Sequence, residues 1–68
     1  MQLGKYKHFK GREYELTGIA RHSETEEQYA VYRQLYGEYG LWIRPLNMFN
    51  EFVEYEGKLV KRFEKIAD

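Results

Sequence analysis

Cysteine is absent from this chain, and the absence removes two common supports of a small fold. No disulfide can form, and a structural zinc would lack its usual thiolates. Proline occurs once, at Pro45, so no proline-rich linker divides the chain. No apolar run approaches the length of a membrane-spanning helix. The opening MQLGKYKHFK is charged and lacks the apolar centre of a signal peptide. With no export signal and no cysteine, we expect a cytoplasmic protein. An excess of either charge is also missing: 11 Lys and Arg balance 11 Asp and Glu. A general nucleic-acid coat needs a strong basic excess, so that class is disfavoured.

What is present in quantity is aromatic side chain. Twelve of the 68 residues are aromatic, seven of them Tyr. A chain of this length forms one domain, residues 1–68, whose core is marginal. Tyr and Trp then matter twice, because each buries a large area and keeps a polar tip for solvent or ligand. The charges are also unevenly placed. Residues 1–12 hold Lys5, Lys7, Lys10 and Arg12 with no acid, whereas residues 13–40 hold two Arg against six Glu. The N-terminal hairpin is therefore read as a local basic patch.

The stretches between the glycines are short and rich in Tyr, Val, Ile and Phe, the composition of strands. In GKYKHFKG, Tyr6 and His8 alternate with Lys5 and Lys7. REYELTGIARH reads as a second strand, with Gly18 marking a bulge. SETEEQYAVYRQLYG carries a helix-like start, Ser23 followed by Glu26, but its Tyr-Ala-Val-Tyr core is strand-like. We read it as a turn at 23–27 and a strand at about 28–36. LWIRP is the next strand, stopped at Pro45 because proline cannot donate to a ladder. LNMF follows as a tight turn or one turn of 3₁₀-helix, and EFVEYEGKLVKRFEKI closes the chain as a hairpin turning at Glu56-Gly57. These signals predict a mainly β protein, a small SH3-like β-barrel of five or six short strands.

The blocks GKYKHFKGREYEL, GIARHSET, VYRQLYG, LWIRPLNMF and a final RFE, in that order, resemble a family of small bacterial and phage proteins known as domain of unknown function 1653. The similarity runs from Gly4 to about Ile66. It implies a small β-rich domain and no established activity, since the family name records none.

The residues themselves lean away from an enzyme. There is no cysteine nucleophile, G-x-S-x-G elbow, P-loop or G-x-G-x-x-G. His22, Ser23 and Glu24 have the residue types of a triad, but neighbours in sequence point apart. Glu24, Glu26 and Glu27 beside His22 read as a solvated acidic turn with Ser23 as its cap, and no metal or cofactor is expected. The stronger reading is a binding module with an aromatic, Arg-lined pocket for a small anionic, nucleotide-like ligand. Its expected residues are Arg21, His22, Ser23, Arg33, Trp42 and Arg44, gathered where the RHSET turn meets the LWIRP strand. A peptide- or protein-docking domain is the alternative. Nucleic-acid binding through Lys5, Lys7, Lys10 and Arg12 comes third. A homo-oligomer, a dimer, is expected as well, with Tyr36, Tyr39 and Trp42 of YGEYGLW projecting at its interface.

Overall fold

The alternation around Tyr6 becomes β1 (Gly4–His8), which pairs antiparallel with β2 (Glu13–Arg21). The computed structural model describes residues 2–68. Between β1 and β2 the chain reverses at Gly11, whose φ of 106° is open to glycine and strained for other residues. β2 pairs in turn with β3 (Gln28–Gln34), and the register shifts between Leu16 and Gly18. Thr17 is the extra residue of this bulge, and its hydroxyl donates to the Val31 carbonyl at 3.0 Å. β4 (Leu41–Pro45) pairs with β3 and ends at its proline, where one turn of helix, α1 (Leu46–Phe49), begins.

The last third departs from a single closing hairpin. β5 (Phe52–Tyr55) and β6 (Lys58–Lys61) form a separate two-stranded sheet. Glu56 and Gly57, at φ 52° and 78°, make its two-residue turn with both central residues left-handed. β7 (Phe63–Ala67) then leaves the hairpin and pairs with β1. The main sheet thus has the order β4-β3-β2-β1-β7.

That order corrects the barrel expectation. Among the described residues there are seven strands, and the five-stranded sheet stays open because its outer strands, β4 and β7, do not pair. Phe49 from α1 lies on the inner face of the sheet, stacked on Phe63 at 4.1 Å between ring centres with the planes 6° apart. The edge of Tyr6 and the tilted ring of Tyr32 complete the cluster. The core is small: Tyr6, Leu16, Ala30, Tyr32, Phe49 and Phe63. Helix and rings therefore cover part of the face that closure of the sheet would have buried. Gly4 lets β1 and β7 approach at their ends, since a Cβ there would sit 2.6 Å from the Ala67 carbonyl oxygen. Among the described residues, no helix is long and apolar enough to cross a membrane.

Candidate ligand-binding face

Strand alternation sorts the charged residues onto two faces. On the outer face Lys5 lies opposite Glu15, and Lys7 lies between Glu13 and Glu64. The N-terminal basic run therefore loses its isolation once the strands pair, because each of these lysines has an acid from a neighbouring strand beside it. Lys10 and Arg12 lie in the β1–β2 turn. The Lys10 ammonium is 5.8 Å from the Phe9 ring centre, and the Arg12 guanidinium is 4.4 Å from that of Tyr36.

The inner face is where aromatic rings and cations meet. Tyr14, Tyr32 and Phe63 are in mutual contact, with ring centres 5.5 Å apart in each pair. His8 packs its edge on Phe63 at 4.9 Å and its face on Phe9 at 4.5 Å. Tyr14 and Tyr36 share a hydroxyl hydrogen bond of 2.7 Å. Burial first, and then that bond, push the Tyr14 hydroxyl up to about 12. From β4, Arg44 reaches over this floor: its guanidinium lies 5.9 Å from the Phe63 ring centre, and its Nε donates weakly to the Tyr32 hydroxyl at 3.5 Å. Arg62, the residue before Phe63, is held to the Glu51 carboxylate at 2.7 Å. The cations leave a mark on His8, whose pKa is lowered by burial first and then by Arg62, Arg44 and Lys10. Among the described residues, neither Arg12 nor Arg44 forms an ion pair with a carboxylate.

The structure brings only part of the expected set together. Trp42 and Arg44 share the inner face of β4, as their spacing required, and the Trp42 indole N–H donates to the Gln34 side-chain carbonyl. Arg33 is one residue out of phase with Tyr32. It lies on the opposite face, where its guanidinium donates to the Tyr39 carbonyl at 2.7 Å. Arg21 pairs with Gln28 at the far end of β2 and turns its exposed guanidinium to Glu26 at 3.6 Å. His22 belongs to the turn itself, since its Nδ1 accepts the backbone N–H groups of Glu24 and Thr25 at 3.1 and 3.3 Å. The turn is thus capped by His22, and by the Thr25 hydroxyl accepting from Glu27, while Ser23 stays exposed. Tyr36 does not project: it is half-buried against Tyr14, whereas Tyr39 and Trp42 are exposed.

His8, Arg62 and Phe63 were missing from the expected site. A signal for His8 was available, because its alternation with Tyr6 places it on the inner face. Arg62 and Phe63 gave none, since nothing local says that β7 returns to β1. A cavity of about 440 Å³ also lies away from the RHSET turn. It sits between β1, β7 and the β5–β6 hairpin, and His8, Phe9, Phe52, Tyr55 and Leu59 are among its lining. His8 thus belongs both to the aromatic floor and to this cavity.

Fold and face define a class: a small open antiparallel sheet with a cation-rimmed aromatic floor and a detached hairpin. The model of the family described as protein of unknown function (DUF1653) matches residues 4–65, and the chain belongs to that family. The crystal structure of a DUF1653 protein from Bordetella bronchiseptica is similar throughout, with a TM-score of 0.91 and 35% identity over 98% of this chain and 88% of that one. No curated protein matches the chain.

Proposed function

We propose that this protein is a non-enzymatic binding module that takes a small nucleotide-like anion on its inner face. The observation that carries the reading is the pair Arg12 and Arg44, each guanidinium set over an aromatic ring and neither in an ion pair with a carboxylate among the described residues. Such groups supply donors for phosphate oxygens, and exposed rings such as Trp42 supply a stacking face for a base. The module works in the cytoplasm on this reading, and its open sheet is a relative of the SH3-like layout. Nucleic-acid binding has less support, because Lys5 and Lys7 lie opposite Glu15 and Glu13. Docking of a peptide strand is favoured by one feature, the exposed apolar strand β4.

Thermal-shift measurements with a panel of nucleoside mono-, di- and triphosphates and cyclic nucleotides test the proposal. A ligand present at about 100 times its Kd stabilises the folded form by about 2.7 kcal/mol. The expected result is a rise in Tm with at least one nucleotide, lost in Arg44→Ala while the circular dichroism of the free protein is retained. A flat response across the panel at millimolar ligand overturns it.

A further inference from the structure

The two outer strands of the main sheet are finished differently. β7 carries Glu64 and Lys65, and the Lys65 ammonium bonds back to the Ala67 carbonyl at 3.1 Å. Charges of this kind are how sheet edges avoid pairing with other chains. β4 lacks such protection. Leu41, Trp42 and Ile43 are 54, 54 and 65% exposed, and the one charged residue, Arg44, is drawn inward over Phe63.

The direction of the free backbone groups on β4 follows from one bond. Gln34 N–H donates to the Gly40 carbonyl at 3.0 Å, and residues 34 and 40 are opposite one another in the β3–β4 register. Hydrogen-bonded and non-bonded pairs alternate along an antiparallel ladder. Trp42 and Arg44 therefore bond to β3, while the N–H and C=O groups of Leu41 and Ile43, and the Pro45 carbonyl, point away from the sheet. Pro45 ends β4 without weakening it, because its missing N–H is on the unpaired side.

We propose that β4 pairs antiparallel with β4 of a second copy about a two-fold axis at Ile43, joining two five-stranded sheets into one. This register is self-complementary. Ile43 and the partner's Ile43 exchange both of their backbone bonds, and Leu41 N–H donates to the carbonyl of the partner's Pro45. On the inner face Trp42 lies opposite the partner's Arg44, a cation and an aromatic ring. On the outer face Leu41 meets the partner's Pro45 and Ile43 meets its own copy, so no like charges oppose one another. An axis at Pro45 would instead set two residues without N–H donors face to face. Isologous two-fold contacts require self-complementarity of this kind, and the pairing does not depend on any ligand.

Sedimentation equilibrium of the ligand-free chain from about 1 to about 100 μM tests the pairing by mass action. The expected result is a dimer at the upper end that Ile43→Glu, which sets two carboxylates against each other at the axis, converts to a monomer with an unchanged circular dichroism spectrum. The register has its own readout. The chain has no cysteine, so Ile43→Cys supplies a single thiol that mild oxidation should convert to a disulfide-linked dimer, while Leu3→Cys, exposed elsewhere, should remain monomeric on denaturing gels. A monomer across the whole range overturns the proposal, and leaves β4 to a strand from another protein. A dimer that survives Ile43→Glu, or equal crosslinking by the two cysteine variants, overturns it as well.

Discussion

The five-stranded sheet and the β5–β6 hairpin are both antiparallel and both rich in apolar residues, yet every core residue that lies on a strand belongs to the sheet. In the main sheet Leu16, Tyr32 and Phe63 are almost wholly buried. In the hairpin Phe52, Tyr55 and Leu59 are 60, 42 and 74% exposed. The hairpin is shaped by its own turn, is closed at its base by the Arg62–Glu51 ion pair, and is tied to the sheet by a few contacts, among them the Phe9 N–H donating to the Arg62 carbonyl at 3.0 Å and a Phe9–Tyr55 ring contact at 5.2 Å. The difference is one of range: a two-residue turn fixes two strands, but only distant segments packed together make a core. A short chain that cannot cover every apolar residue leaves the surplus where a ligand or partner can reach it.

The contrast is broken most severely at the core. Phe49→Ala empties the space between Tyr6, Tyr32 and Phe63, and should cost roughly 3–5 kcal/mol. That is of the order of the whole stability of so small a domain, about 0.05–0.15 kcal/mol per residue. Leu59→Ala in the hairpin, by contrast, should stay within about 0.5 kcal/mol of wild type. Urea unfolding of the two variants measures the gap, and equal losses would mean that the hairpin is part of the core.

A smaller separation is expected between two glycines. At Gly4, φ is 135° and a Cβ would strike the backbone of Ala67, so Gly4→Ala should cost about 1–3 kcal/mol and pull β7 from β1. At Gly57, φ is 78° with open space around it, so Gly57→Ala meets only the backbone strain, about 1 kcal/mol. Amide exchange distinguishes them: the first variant should lose protection in β1 and β7, the second only in β5 and β6.

The mildest test is pH. Burial and the neighbouring Arg62, Arg44 and Lys10 hold the His8 pKa below its ordinary 6.5 in the folded protein. The unfolded chain then binds the proton more readily, so the contribution of neutral His8 is complete above pH 6.5 and is lost as the pH falls from there through the lower folded value. Tm should therefore decline below pH 6.5, and His8→Phe should flatten that slope. An unchanged slope in the variant would remove His8 as its source. The hairpin contains no histidine, so the effect belongs to the main sheet.

Much of the local structure was legible in the residues. Alternation located the first four strands, Gly18 marked the bulge, Pro45 ended β4 and Glu56-Gly57 turned the hairpin. The site was less legible. Trp42 and Arg44 could be placed on one face because they are two apart in a strand. Arg33 could not be placed, because its face depends on the register with β4.

By itself, then, the sequence determined the elements whose causes lie within a few residues: side chains alternating along a strand, a proline with its fixed φ, and a two-residue turn able to adopt positive φ. Tertiary structure decided everything that needed a distant partner. It sent β7 back to β1 in place of closing a barrel, set Glu15 and Glu13 opposite the lysines of β1, and gathered His8, Arg44 and the Arg62-Phe63 pair from three separate segments. The reason is that strand pairing uses backbone groups common to nearly every residue. The choice among partners is made by which apolar faces can be buried together, a property of the whole chain.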